Sequence, residues 1–368
     1  MDKKRVATFS RNEWVVAALV LVLLAALVLR PSIRGNDGYG NYVYLASLLG
    51  DGDLDFTDDY QHIDELRDYP YRFTDLPVNP ETGRASNRYG IGSALLWSPA
   101  VATIHGVLRL AASDSPHLTS RPYEWAVGVA TAAWGSLGLL LLYARLRRTW
   151  GHWACAGTIA GLIFATPLGF YLYAHGSMSH GTGFFAATAL LLAFERAWQN
   201  ARPGTLAVCG AFGALLIIIR FQDAPWAFLA CGALAGRQIL CRPTSRSTWL
   251  GIGTMAAAGA VVSLPQLAVW RILYGSWFSG PLPYLDASAG SFEPWPRHLL
   301  AVLVSERGGV LVWHPAIAAG LVGLVLLARR SHSDRPVALY GLAGFAALLW
   351  VVASWSMWWG GASFGNRF

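Results

Sequence analysis

Charged residues are scarce in this sequence. Asp, Glu, Lys and Arg make up 13% of the 368 residues, whereas hydrophobic residues make up 54%. A soluble domain usually carries about 25% charged residues. Apolar runs of about 20 residues, each enough to cross roughly 30 Å of hydrocarbon, recur along the chain. The composition therefore excludes an ordinary soluble protein and favours a polytopic membrane protein.

Three further absences limit the classes of site and segment that the sequence can contain. The cysteines lie in or beside apolar runs without paired metal spacing, so we interpret them as small core residues: Cys155, Cys209, Cys231 and Cys241. Phosphate-binding patterns of the GxGxxG and P-loop types are absent, which leaves nucleotide chemistry without support. The run from Trp14 to Leu29 has no small-residue cleavage site, so it is predicted to be an anchored first span rather than a signal peptide.

The basic residues set an orientation. The net charge of +7 comes largely from short loops between apolar runs, which is the usual topology signal of a membrane protein and not a sign of nucleic-acid binding. With the N-terminus in the cytoplasm, the acidic residues on the inner side are only Asp2, Glu13, Glu195 and Asp334. We predict spans in the plasma (inner) membrane near residues 14–30, 124–144, 153–174, 181–198, 204–219, 225–240, 249–270, 315–328 and 336–355.

One apolar stretch, "IGSALLWSPAVATIHGVLRLAA" at 91–112, does not fit this alternation. If it crossed the membrane, every later Arg-rich loop would lie outside, and it is interrupted by Ser98, Pro99, His105 and Arg109. We therefore expect a helix that lies in the outer interface or re-enters partway, with a true span as the alternative.

These features predict an all-α fold. The chain would be a polytopic membrane protein of about nine transmembrane helices, forming one domain over residues 1–368. Its outer face would carry a first large loop at 31–123 with juxtamembrane helices and a second large loop at 271–314.

Asp37 opens the first outer loop, within "RGNDGYGNYVYLASLLGDGDLDF". An i, i+3, i+4, i+7 spacing follows it, formed by Tyr42, Leu45, Ala46 and Leu49. This spacing predicts a short helix that lies apolar face down on the bilayer and ends at Gly50. A partly desolvated carboxylate at that position suits a general base for a hydroxyl substrate. The alternative role for Asp37 is an N-cap of the helix.

The acidic run "DGDLDFTDDYQH" at 51–62 begins with the spacing of a calcium loop. An EF-hand needs Gly at its sixth position and Glu at its twelfth, where this chain has Phe56 and His62. Two interpretations stay open: another divalent-cation site, with Asp58 or Asp59 as secondary acid or metal contact, and a solvated acidic turn.

Basic residues on the predicted outer face suit an anionic ligand. The guanidinium fork matches phosphate oxygens, so we predict a phosphate or substrate site formed by Arg88, Tyr89, Arg220, Arg307 and Arg367. Snorkelling to lipid headgroups is the alternative for each arginine. The turn "AHGSMSHG" adds His175 and His180, for which substrate contact, metal ligation and a plain polar turn all stay open.

The whole arrangement resembles the GT-C superfamily of membrane glycosyltransferases, which includes the protein mannosyltransferases and the aminoarabinose transferases of lipid A. The segments "NDGYGNYVYLASLLGDGDLDF", "SERGGVLVWHP" and "WWGGASFGNRF" are similar to bacterial members of the dolichyl-phosphate-mannose mannosyltransferase type. The resemblance implies transfer of a sugar from a polyprenyl-phosphate carrier, with inversion, at the extracytoplasmic face. Asp37 would then be the base, and the arginines would stabilise the leaving lipid phosphate.

The resemblance has two departures. Several relatives carry an Asp-Glu pair where this chain has Asp37 and Gly38, and relatives continue through further spans where this chain stops at Phe368, so a truncated C-terminus is expected. The acceptor would be a lipid, a glycan or a protein. A transporter or flippase of lipid-linked sugar, and a non-catalytic subunit of a glycan-assembly system, are the alternative functions.

Overall fold

The computed structural model describes residues 11–66, 72–111, 118–241, 244–281 and 290–360. Apart from two isolated β-bridges, the regular structure in these ranges is helical, so the predicted all-α class is confirmed. The α-helices are α1 (Arg11–Val28), α2 (Gly35–Gly50), α3 (Thr57–Glu65), α4 (Gly92–Ala111), α5 (Arg121–Arg147), α6 (His152–Phe164), α7 (His180–Gln199), α8 (Pro203–Ile219), α9 (Ala224–Cys241), α10 (Arg246–Tyr274), α11 (Leu299–Val304), α12 (Val310–Trp313), α13 (Pro315–Arg330) and α14 (Arg335–Ala353).

Four of the described helices are long and apolar enough to cross a membrane, namely α4, α5, α10 and α14. They support a multi-pass membrane protein, but the prediction of about nine spans is wrong. Several predicted spans form shorter apolar helices, among them α6 and α8. The span predicted at 153–174 is divided, because α6 ends at Phe164, Pro167 follows, and a π-helical turn takes over at Phe170–Ala174.

Ion pairs tie together one end of the helix bundle. Arg147 Nη2 lies 2.9 Å from Glu13 Oε1, and Arg145 lies 2.5 Å from Glu195 Oε2 and 3.0 Å from Asp334 Oδ1. These contacts join the start of α1, the ends of α5 and α7 and the start of α14. We call this the ion-paired end. It brings together Glu13, Glu195 and Asp334, which the sequence assigns to the inner face, whereas Asp2 lies outside the described residues.

The segment between α1 and α5 begins and ends at the end of the bundle opposite to the ion-paired end. The backbone N–H of Ile33, just after α1, donates to Glu124 Oε1 in the first turn of α5 at 3.4 Å. Helix α4 lies antiparallel to the first half of α5, because Trp97 Nε1 donates to Thr131 Oγ1 at 2.8 Å and His105 Nδ1 lies 2.8 Å from the Tyr123 hydroxyl. Its composition would let α4 cross, so its interfacial placement stays a prediction.

Helix α2 packs on protein and not on a lipid surface. Tyr42 is 0% exposed and Leu45 is 5% exposed, and both join a core with Trp97 of α4 and Val127 of α5. The predicted bilayer-facing orientation of α2 is therefore wrong, because apolar periodicity does not distinguish a lipid surface from a protein surface. The predicted end at Gly50 is confirmed.

Helix α10 packs along α8 and continues beyond it. Gly210 of α8 abuts the carbonyl oxygen of Met255 so closely that a Cβ would not fit, which lets the two backbones approach. Past the end of α8, Gln266 Oε1 accepts the backbone N–H of Ile91 at 2.8 Å. Further on, the Tyr274 hydroxyl donates to the carbonyl of Asn87 at 2.8 Å. The end of α10 thus fixes the loop that leads into α4.

Candidate active site

Asp37 lies in the first turn of α2, where the helix dipole favours negative charge. The helix begins at Gly35, and its N-cap is Arg34, which makes no side-chain capping bond. The alternative interpretation of Asp37 as the N-cap is therefore wrong.

A hydrogen-bond chain links three of the predicted site residues. The Tyr89 hydroxyl donates to Asp37 Oδ1 at 2.5 Å. The same hydroxyl oxygen accepts from Arg88 Nε at 3.2 Å and from Arg88 Nη2 at 3.1 Å. We call Asp37, Tyr89 and Arg88 the Asp37 cluster, in which a guanidinium and a carboxylate share one phenol.

The Tyr89 ring is held by α2 and by its own loop. The ring packs against Gly40, where a Cβ would collide with it. Asn87 Nδ2 donates to the Gly40 carbonyl at 2.8 Å, and Asn87 Oδ1 accepts the Tyr89 backbone N–H at 3.1 Å. The Tyr44 hydroxyl donates to the Tyr89 carbonyl at 2.6 Å. The backbone N–H and the carbonyl of Tyr89 are thus both hydrogen-bonded, which fixes the residue whose hydroxyl reaches Asp37.

Burial raises the pKa of the Tyr89 phenol well above its ordinary value, and the negative charge of Asp37 raises it further, while Arg88 opposes the shift. The phenol therefore stays protonated at neutral pH. With its proton retained, the phenol donates to the Asp37 carboxylate while its oxygen accepts from Arg88.

A second cluster forms around Arg220, at the C-cap of α8. The guanidinium is buried; its Nε lies 3.1 Å from Asp223 Oδ2, and its Nη1 lies 3.0 Å from His180 Nδ1 and 3.4 Å from Ser179 Oγ. The Tyr171 ring stacks on His180 with centroids 4.1 Å apart. We call Arg220, Asp223, His180 and Ser179 the Arg220 cluster.

The Arg220 cluster opens into a cavity of about 310 Å³, lined by Tyr171, His180, Arg220, Asp223 and Trp226 among others. Burial raises the pKa of Asp223, and the adjacent Arg220 opposes that shift. Arg220 is therefore ion-paired at the cavity wall, as an arginine at the end of an apolar run requires.

The turn that carries His175 and His180 touches both clusters. Ser177 Oγ accepts the Arg34 backbone N–H at 3.2 Å, and a Cβ on Gly38 would lie 2.5 Å from the same oxygen. His175 Nε2 lies 3.4 Å from the Arg34 carbonyl oxygen. His175 thus stands beside the start of α2, whereas His180 belongs to the Arg220 cluster.

The predicted arginines have different partners in the structure. Arg88 and Arg220 belong to separate clusters, and exposed Arg307 stacks on the Trp359 ring at 4.3 Å. Arg367 lies outside the described residues.

Asp58 and Asp59 lie at the far end of α2 from Asp37. Asp59 interacts with Ser47, which lies about 15 Å along the α2 axis from Asp37. Within the described ranges, no three His, Cys, Asp or Glu side chains come together as a metal site. A role for Asp58 or Asp59 beside Asp37 is therefore without geometric support.

Sequence reasoning missed Ser177 and Asp223. Asp223 follows Arg220 by three residues, a spacing that allows the two side chains to pair once a helical turn forms. Ser177 carries no such signal, because its contact with the start of α2 joins segments far apart in the chain.

A scan of protein-family models and searches of curated proteins and of solved structures found no match to this chain.

Proposed function

We propose that this chain is an inverting membrane glycosyltransferase. It moves a sugar from a polyprenyl-phosphate carrier to a hydroxyl acceptor at the extracytoplasmic face of the membrane. The acceptor is a lipid, glycan or protein hydroxyl.

The observation that best supports this proposal is the Asp37 cluster. A general base has to be aimed, and the Tyr89 bond of 2.5 Å orients the Asp37 carboxylate relative to α2. The Arg88 guanidinium, two hydrogen bonds away, supplies positive charge close to that base. Base and cation side by side are what a reaction with a hydroxyl nucleophile and a phosphate leaving group requires.

The chemistry is a single displacement. Asp37 accepts the proton of the acceptor hydroxyl while that oxygen bonds to the anomeric carbon of the sugar. The bond from this carbon to the phosphate oxygen breaks, and the lipid phosphate leaves with the electron pair. Arg88 stabilises the charge that develops on the phosphate, and Arg220, at the wall of its cavity, is a second candidate for that role.

Membranes carrying Asp37→Asn test the proposal. We expect transfer from a polyprenyl-phosphate sugar to fall by about 10²–10⁴-fold, the usual contribution of a general base. Asp75→Asn is the matched control, because it neutralises an exposed acid of the same loop and should leave transfer unchanged. Turnover of Asp37→Asn at the wild-type rate would exclude Asp37 as the base.

The same membranes separate the alternative functions. Movement of a lipid-linked sugar across the membrane of liposomes that contain the protein, without release of the carrier phosphate, would identify a transporter. Retention of the carrier with neither movement nor transfer would identify a binding subunit.

A further inference from the structure

The start of α2 is held by a distant turn of the chain. Its N-cap residue, Arg34, makes no side-chain capping bond, although Ser, Thr, Asp and Asn usually supply one at this position. The backbone of Arg34 is instead met on both sides by the turn before α7. Ser177 Oγ accepts the Arg34 N–H at 3.2 Å, and His175 Nε2 lies 3.4 Å from the Arg34 carbonyl oxygen. The place of the first turn of α2, which carries Asp37, therefore depends on this contact.

Ser177 also limits how closely the first turn of α2 can approach. Its side chain is buried, and it lies against Gly38, the residue after Asp37. A Cβ on Gly38 would lie 2.5 Å from Ser177 Oγ and 3.2 Å from Ser177 Cβ. The hydrogen bond to Arg34 thus draws the start of α2 towards Ser177, and the contact with Gly38 stops it.

The turn that carries Ser177 is itself fixed to the bundle. The Thr131 hydroxyl, buried on α5, donates to the carbonyl of Gly176 at 2.6 Å. The backbone N–H of Arg30, after α1, donates to the carbonyl of Tyr173 at 2.8 Å. A side chain can hold a reacting group in place only when its own position is held by the surrounding structure. Ser177 meets this condition through bonds to two other elements.

We infer that Ser177 is a positioning residue for Asp37. Tyr89 orients the Asp37 carboxylate through its hydroxyl, whereas Ser177 sets the place of the backbone that carries Asp37. This inference rests on the proposed sugar transfer and adds to it a residue that acts through the base without touching substrate.

Kinetics of Ser177→Ala test the inference, because alanine keeps the Cβ and removes only the oxygen that accepts from Arg34. We expect kcat per folded molecule to fall by about 10- to 100-fold, the usual cost of displacing a reacting group by up to about 1 Å. KM for a polyprenyl-phosphate sugar should change by less than about twofold, since the lost interaction acts in the transition state. Ser93→Ala is the matched control: Ser93 is equally buried, its hydroxyl lies 2.9 Å from Thr182 Oγ1, and kcat should stay unchanged.

A second background separates positioning from a general structural role. In Asp37→Asn, Ser177→Ala should lower the residual transfer by less than about twofold, because residues that act as a unit are not additive. An equal fall of transfer in both backgrounds would overturn the inference. Transfer that needs Asp37 but is unchanged in Ser177→Ala would also overturn it and leave the proposed function standing. Absence of transfer by wild type would overturn the proposed function itself.

The contact can be tested without any transfer. Gly38→Ala should lower the melting temperature in micelles, because its Cβ would meet Ser177 Oγ at 2.5 Å. The decrease should be smaller in a Ser177→Ala background, where that oxygen is gone. Equal decreases in the two backgrounds would contradict the contact and overturn the role of Ser177.

Discussion

The Tyr89 hydroxyl donates to Asp37 Oδ1 across 2.5 Å, although 52 positions separate the two residues in the chain. This bond joins the start of α2 to the loop that leads into α4. It also places the Arg88 guanidinium two hydrogen bonds away from the candidate base.

Tyr89→Phe should couple energetically to Asp37→Asn. A hydrogen bond to a charged group contributes about 1.5–3 kcal/mol, whereas the neutral bond that asparagine can still accept contributes about 0.5–1.5 kcal/mol, so the double variant should be more stable than additivity predicts by about 1 kcal/mol. The free energy of unfolding is measured in detergent micelles for wild type, the two single variants and the double variant. Tyr340→Phe is the control, because its hydroxyl donates to the Trp226 carbonyl and so joins α14 to α9; it should add to Asp37→Asn within about 0.5 kcal/mol. Additivity in the Tyr89 cycle would contradict the bond.

Gly40→Ala should displace the Tyr89 ring, because the new Cβ would collide with it. We expect a lower melting temperature and a loss of transfer, because the Asp37 carboxylate would lose the hydroxyl that orients it. Gly106→Ala on α4 is the matched control, since no neighbouring atom lies within 4 Å of the position that its new Cβ would take, and alanine favours a helix by about 1 kcal/mol. A Gly40→Ala protein as stable and active as wild type would show that the ring contact is dispensable.

The free energy of unfolding should fall as the pH rises, because of the shifted pKa of Asp59. Burial raises the pKa of Asp59 to about 7, with help from the charges of Asp58, Asp51 and Asp53. An unfolded Asp titrates near about 3.9, so the folded chain binds the proton more tightly between about pH 4 and pH 7. The stabilisation is complete below that window, is lost as pH rises through it, and changes no further above it.

Melting temperatures from pH 4 to pH 8 check this expectation. Asp59→Asn should flatten the decline, because the asparagine carries no charge at any of these pH values. The exposed Asp75→Asn should keep the wild-type decline. An unchanged decline in Asp59→Asn would assign the pH dependence to other groups.

Arg145→Met should destabilise the ion-paired end. It strands Glu195 and Asp334, whose side chains are 15% and 18% exposed, and we expect a loss of about 1–3 kcal/mol in the free energy of unfolding. Arg297→Met breaks a pair with Glu293 whose side chains are 67% and 47% exposed, and it should cost less than about 1 kcal/mol. Denaturant titration of both variants in micelles compares them; equal losses would contradict the role of burial.

Single cysteines test the orientation. In a background without native cysteines, we expect a membrane-impermeant maleimide to label Asp75→Cys in intact cells. Arg330→Cys should be labelled only after permeabilisation, because Arg330 ends α13, and the short connection that follows leads to Asp334 at the ion-paired end. The reverse pattern would place Asp37 on the cytoplasmic side and remove the extracytoplasmic proposal.

Sequence alone predicted the helical class and the end of the first apolar helix near residue 30, where α1 ends at Val28. It also placed Glu13, Arg145 and Glu195 on one side, where the ion pairs join them, because basic residues near apolar runs are a strong topological signal. Asp37, Arg88 and Tyr89 were named as site residues from their separate motifs, but their contact is a tertiary feature that no local pattern contains.

The failures have physical reasons as well. Apolar periodicity predicted the buried face of α2 but not its partner, since lipid and protein interiors demand the same residues at Tyr42 and Leu45. The arginines that the sequence groups into one phosphate site have different partners in the structure: Arg220 pairs with a local acid, Asp223, and Arg307 stacks on the Trp359 ring. The turns that bring Asp223 and Trp359 close to these arginines have a geometry that the sequence does not specify.

The bond from Thr131 Oγ1 to the carbonyl of Gly176, at 2.6 Å, would set the depth of the proposed chemistry. It ties the turn beside Asp37 to a level of α5 about 24 Å from Arg147, slightly less than the roughly 30 Å hydrocarbon thickness. If Arg147 lay among the headgroups of one leaflet, the carboxylate of the proposed base would stand near the acyl boundary of the other. A lipid-borne substrate would arrive there by lateral diffusion, with its linkage already at the height of the base.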